Sequence, residues 1–347
     1  MVVGQAVHRS SGRPPLSCGD SPQSGNGIHS HIEEPSAEEV KAPTVGPQIV
    51  ILGVAGSSPV SHPFGSFSAC LADIRLGEPN DEYHRDLVWR NCSRAKTFLE
   101  SIPLYYGQHV AGTVQPSSSD AMDHGTLLHS ILENGPAILD GYAVPPDSKL
   151  TPTKLVGKEA KQWALENHGP DAPIVAPKLM AQVRAEWAAI RANAAAAELV
   201  DTCAEHEASV RWTDAAGNKL RCKFDMVTDG GVVVDLKSTR EADIQADWWK
   251  AVLKYRYHLS EAWYRRGAIA AGLEPRPLQY IVLSTEPPHD CQVVTLPEAL
   301  AEEGARLMDR ALSELRLRED LDWWMPDHHG EVIELSFPAH ILRGMSQ

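Results

Sequence analysis

From about residue 81 onward the apolar residues recur first at helical and then at strand spacing, and their order predicts the layers of the fold. Residues 92–99 (CSRAKTFL) read as a short helix with Ser93 as N-cap, and Ser119-Asp120 opens a second helix that runs to 133. Two more helices are predicted over 158–167 and 177–199, the latter rich in alanine with Pro177 in its first turn. After residue 202 the period shortens to two. Residues 207–212, 219–227 and 232–237 read as strands, joined by turns at Asp214-Ala-Ala-Gly217 and Asp229-Gly-Gly231. A long amphipathic helix over about 242–270, strands near 278–284 and 292–296, and a helix from 297 to about 318 complete the order. Helices, a central sheet and further helices predict an α/β (α+β) domain.

Ahead of residue 81 the pattern fades. Residues 1–46 hold no Phe, Trp or Tyr and give 18 positions to Gly, Pro and Ser, too little apolar surface to offset the entropy of ordering. They read as a disordered tail, 47–80 as a poorly defined linker with a short strand over 48–55 (QIVILGVA), and 81–347 as the folded domain. The longest apolar run is strand-sized, so no membrane span is expected, and no charged-then-apolar leader opens the chain. Six cysteines without a CxxC pair point to reduced thiols and a cytoplasmic protein. The net charge of −14 excludes a surface coated all over with phosphate-binding groups, but residues 219–267 carry ten Lys or Arg against seven Asp or Glu. Positive charge therefore collects in one segment, as a phosphate-backbone ligand needs and as a solvated helix face also shows.

That segment contains the chain's most informative chemistry, RCKFDMVTDGGVVVDLK (221–237). Strand alternation puts Lys223 with Asp225, and Asp235 with Lys237, on common faces. A two-residue Asp229-Gly230 loop would send the two aspartates to opposite faces. A three-residue loop through Gly231 pairs Thr228 with Val232 and sets Asp225 opposite Asp235, and the consecutive glycines favour it. Two carboxylates so placed repel unless a cation lies between them. A hard divalent ion resolves the repulsion, with the Leu236 carbonyl in reach as a further ligand and Lys237 free to hold a phosphate oxygen or the attacking water. The same spacing also fits a solvated sheet face neutralised by Lys223 and Lys237. Earlier in the chain, Gly125-Thr-Leu-Leu-His129 puts a glycine and a histidine one turn apart, so that a closely packed helix can aim an imidazole at the sheet.

Taken together, these residues resemble the RecB-type branch of the PDDEXK nuclease superfamily, and among its members the exodeoxyribonuclease VIII (RecE-like) exonucleases. The resemblance rests on CSRAKTFLESIPLYY (92–106), MDHGTLLHSILEN (122–134), Glu207 followed by KLRCKFDMVTDGGVVVDLKSTREAD (219–243), and YHLSEAWY (257–264). Ser260 stands where that branch prefers Gln. The resemblance implies a restriction-endonuclease-like mixed sheet flanked by helices, with His129, Asp225, Asp235 and the Leu236 carbonyl as metal ligands and Asp225, Asp235 and Lys237 as the catalytic set. Glu207 is a further candidate for a second metal or a water, and Tyr257 and Tyr264 are candidates for lining the site. Arg94 and Lys96 are candidates for a terminal phosphate.

The implied activity is Mg²⁺-dependent hydrolysis of double-stranded DNA, with Mn²⁺ as substitute ion, exonucleolytic and 5′→3′, in recombination or phage-type DNA processing. The implied partners are double-stranded DNA and a single-strand annealing protein, with a homo-oligomer as the family's route to processivity. Only Cys291 follows Lys237, so no iron–sulfur cluster is expected. A structure-specific or restriction-type endonuclease of the same fold, and a catalytically silent DNA-binding module, are the alternative readings.

Overall fold

The computed structural model describes residues 72–115, 120–151, 153, 156–326 and 329–334. The tail read over 1–46 and the strand read over 48–55 lie outside these residues. Six strands form one sheet in chain order: β1 (Asp73–Arg75), β2 (Cys203–Thr213), β3 (Lys219–Thr228), β4 (Val233–Thr239), β5 (Gln279–Ser284) and β6 (Cys291–Val294). Neighbours pair antiparallel except β4 and β5, which run parallel and therefore need a crossover connection. The predicted fold class, a mixed sheet flanked by helices, is the observed one. β1 lies ahead of the domain start read at residue 81; it is three residues long, too short to register in the sequence pattern.

Helices cover both faces. In chain order they are α1 (Asn80–Arg85), α2 (Cys92–Glu100), α3 (Ile102–Tyr105), α4 (Asp120–Asn134), α5 (Lys158–His168), α6 (Pro177–Ala192), α7 (Ala194–Asp201), α8 (Ile244–Asp247), α9 (Trp249–Lys254), α10 (Tyr257–Ala270) and α11 (Glu298–Leu321). One core layer joins the sheet to α8–α11 and the start of α2 through Phe224, Trp248, Trp263 and Tyr280. The other joins it to α4, α6 and α7 through Leu128, Ile131, Val183 and Ile281. Alternation along β5 feeds both, with Tyr280 and Val282 on one side and Ile281 and Leu283 on the other. Among the described residues no helix is long and apolar enough to cross a membrane.

Three predicted helix boundaries need correction. Asn91, not Ser93, caps α2, its Oδ1 accepting the Arg94 N–H at 3.0 Å. The helix predicted over 177–199 breaks at Asn193, whose Oδ1 accepts from the Ala196 N–H at 3.0 Å while its Nδ2 donates to the Cys291 carbonyl at 2.7 Å. The long helix predicted over 242–270 is three pieces, α8, α9 and α10, with Arg256 in the left-handed region (φ 51°) before α10.

Candidate metal and nucleic-acid site

The β3–β4 hairpin closes with the three-residue loop. The Thr228 N–H donates to the Val232 carbonyl at 3.0 Å, the Gly231 N–H donates to the Thr228 carbonyl at 2.9 Å, and Gly231 has φ +74°, where a side chain would be strained. Val227 pairs with Val233 and Met226 with Val234, and one further step of that register sets Asp225 opposite Asp235. There the ladder opens. Asp225 Oδ2 accepts the Leu236 N–H at 2.8 Å, taking the donor that a backbone carbonyl would otherwise satisfy.

The opening brings groups from three strands and α4 together. β2 is irregular near its start, and Glu207 takes φ 50°, a left-handed conformation uncommon for a side-chain-bearing residue, with its carboxylate in the cluster. Glu207 Oε1 lies 3.5 Å from His129 Nδ1, Asp225 Oδ1 lies 3.8 Å from the same nitrogen, and Lys223 Nζ is 3.6 Å from Glu207 Oε2. One ligand atom from each of His129, Glu207 and Asp225 falls within 4.8 Å of the others. Ligands bound at about 2.0–2.6 Å to one hard cation have spacings of this order.

Asp235 is 1% exposed. Its Oδ1 accepts from Lys237 Nζ at 2.6 Å, and its Oδ2 has no hydrogen-bond partner among the described residues. Burial pushes the Asp235 carboxyl up to about 7 against the pull of Lys237, and the neighbouring Asp225 adds to the rise. Burial alone would lower Lys237, but Asp235 and Asp225 outweigh it and hold the ammonium protonated. Asp225, working against burial and helped by Glu207, lifts His129 to about 9. Glu207 is held low: burial raises it, and His129 and Lys223 more than offset that. The His129–Glu207–Asp225 grouping is a donor set suited to a hard divalent ion; Asp235, expected as a ligand, adjoins Asp225 with one orphaned buried oxygen but is not a member of that grouping.

Tyr257 borders the site, with Lys237 Nζ 5.6 Å and Lys96 Nζ 5.1 Å from its ring centroid. Lys96 Nζ donates to Ser260 Oγ at 2.7 Å, so the position where the resembled branch prefers Gln holds a lysine–serine pair. Sequence reasoning named Lys96 but gave no sign of this partner, which is 164 residues away. Tyr264 is a packing residue, its ring edge-on to Phe224 at 6.0 Å. The Leu236 carbonyl accepts from Lys237 Nζ at 3.1 Å.

Three expectations are overturned. Arg94 is 6% exposed and donates to the carbonyls of Trp89, His84 and Asp86, so its guanidinium braces the 84–89 loop and is not turned to a phosphate. Apart from its chain neighbours and its own helix backbone, no described atom lies within 4 Å of where a Gly125 Cβ would stand, so that glycine is not what seats α4. The helix is held instead by buried Leu127, Leu128, Ile131 and Leu132, and by His124 Nε2 at 2.6 Å from the buried Glu186 of α6. The positive excess of 219–267 is also largely neutralised by acids outside the segment, with Arg265 on Glu298 and Arg266 on Asp309.

A mixed sheet whose adjacent strands set one aspartate against an Asp-x-Lys, with an imidazole supplied by a preceding helix, is the arrangement that the resemblance to PDDEXK nucleases implied. The chain belongs to the family described as "PDDEXK-like domain of unknown function (DUF3799)", which matches residues 91–321. The fold is shared with the crystal structure of a "putative exonuclease" from Eubacterium rectale, at TM-score 0.52 and 14% identity, over 77% of this chain and 98% of that one. No curated protein matches the chain.

Proposed function

We propose that this chain is a Mg²⁺-dependent deoxyribonuclease, an exonuclease of the RecE-like (exodeoxyribonuclease VIII) kind that shortens double-stranded DNA 5′→3′ in recombination or phage-type DNA processing. The single observation that carries the reading is the convergence of His129, Glu207 and Asp225 at an opened strand pair, with the Asp235–Lys237 pair next to Asp225. Membership in a PDDEXK-like family and the fold shared with a protein named as an exonuclease support it.

In this reading His129, Asp225 and Asp235 hold the ion, with the second lone pair of the Leu236 carbonyl available to it and Glu207 beside it. A divalent cation there supplies Lewis-acid polarisation of a phosphate oxygen and a more acidic water. Lys237, kept protonated by Asp235, orients the attacking water or meets the charge that develops on the phosphoryl oxygens. Leu236 N–H locks the Asp225 rotamer, so that one carboxylate oxygen is fixed by backbone while the other faces His129. Lys96, rather than Arg94, is the phosphate contact on the far side of Tyr257; no acid lies within ion-pair distance of it among the described residues.

End-labelled linear duplex and covalently closed circular duplex, each incubated with Mg²⁺, Mn²⁺ or EDTA, test the proposal. Linear DNA should be degraded with either ion and spared in EDTA, a 5′ label should be released before a 3′ label, and the closed circle should survive. Cutting of the circle would replace the exonuclease with an endonuclease. Absence of cleavage with both ions would leave a DNA-binding module.

A further inference from the structure

A strip of aromatic and cationic side chains leads from the site along the junction of α9 and α10. Residues two apart on a continuous helix do not face each other. Here the left-handed Arg256 interrupts the helix and brings Tyr255 and Tyr257 together, their ring centroids 5.8 Å apart at 34°. Trp248 stacks on Tyr257 at 5.8 Å and 28°, which fixes the plane of the inner ring. The outer ring is different. Tyr255 is 50% exposed, and Lys254 Nζ stands 5.1 Å from its centroid. Two rings therefore run outward from the Lys237 and Lys96 ammonium groups to a third ammonium, and the outermost ring has an open edge or face.

We infer that this strip binds an unpaired nucleotide of the DNA strand engaged at the site, its base stacking on Tyr255 and its flanking phosphates meeting Lys254 and Lys96. This rests on the nuclease reading and narrows its substrate. The Tyr255 ring lies within about 12 Å of the Lys237 ammonium through Tyr257, a few nucleotides along one strand. A base inside a duplex has both faces covered by its neighbours, whereas an unpaired base offers a free face that an aromatic ring takes without regard to sequence. The Lys96 and Lys254 ammonium groups, with no acid within ion-pair distance among the described residues, match the backbone of the same strand in charge. The strand that reaches the site is thus single-stranded or frayed where it passes Tyr255.

Binding by the full-length chain in EDTA separates this inference from cleavage. The probes are a single-stranded oligonucleotide carrying 2-aminopurine and a duplex closed at both ends by hairpin loops of abasic linker. Tyr255→Ala should weaken the single strand by about tenfold and abolish the 2-aminopurine quenching seen with the unsubstituted protein, in keeping with ~1–3 kcal/mol per stacked base. Tyr255→Phe should keep both, and the closed duplex should bind all three proteins alike. Unchanged single-strand affinity and quenching in Tyr255→Ala, or an equal loss on the closed duplex, would overturn the inference. Tyr255-dependent binding by a protein that cleaves nothing in Mg²⁺ would sink the nuclease reading and leave the nucleotide site standing.

Discussion

His129 and Lys237 are both held protonated by neighbouring acids, and each gives a separate prediction. Asp225 and Glu207 raise His129 from its ordinary 6.5 to about 9 against the effect of burial. A group whose pKa rises on folding stabilises the fold fully below its unfolded value and loses that contribution as pH climbs through the folded one. In EDTA, the melting temperature of the unsubstituted protein minus that of His129→Asn should therefore shrink between pH 6.5 and about 9. A difference that stays flat across this window would show that the imidazole is not charged beside the acids. A bound cation has to displace the same proton, so divalent-ion affinity should rise over the same window. Lys237→Met removes the ammonium that would meet developing charge, and turnover should fall by roughly 10²–10³-fold. Manganese binding, measured by calorimetry, should survive that change, because no ligand is lost. Retained turnover would remove the lysine from the chemistry.

The elements place these side chains through a few positions where backbone meets backbone. Gly304 of α11 is one: a Cβ there would stand 1.8 Å from the His258 carbonyl oxygen of α10, and rigid main chain cannot yield as a side-chain tip would. Gly304→Ala should cost about 1–3 kcal/mol in urea unfolding by forcing the two helices apart; a loss near zero would mean that the helices slide freely there. The β3–β4 hairpin was legible in advance because its register follows from local chemistry, with Gly231 free to take positive φ and Thr228 and Val232 closing the loop. The helix breaks were not. An apolar stripe continues through Asn193 and Arg256, and the Asn193 side chain that caps α7 is also held by a bond to Cys291, 98 residues on in the chain. The same limit applied to the site. Asp225, Asp235, Lys237 and His129 stood out by spacing and resemblance. The prominence of Glu207, the Lys96–Ser260 pair and the burial of Arg94 depend on how separate segments fold back on one another.

At the scale of the whole molecule, a chain with net charge −14 presents its anion-seeking groups sparingly. Around the site Arg265, Arg266 and Lys250 are already paired with acids, and Arg221 lies over the Tyr83 ring at 4.1 Å, so these four are not free to displace counterions from DNA. With about three phosphate contacts, the logarithm of the binding constant should fall with the logarithm of salt concentration at a slope of roughly −2 to −3. A slope several times steeper would point to a basic surface elsewhere on the chain. The two core layers meet at the opened end of the β3–β4 pair, where α4 contributes His129 from one side and α10 contributes Tyr257 from the other. This convergence is what the proposed site rests on. Anomalous diffraction from a crystal grown with Mn²⁺ tests it most directly. A single strong peak is expected, bonded to His129, Asp225 and Asp235, with Glu207 on the ion or on its water. A peak away from all of these side chains, or none at saturating Mn²⁺, would contradict it.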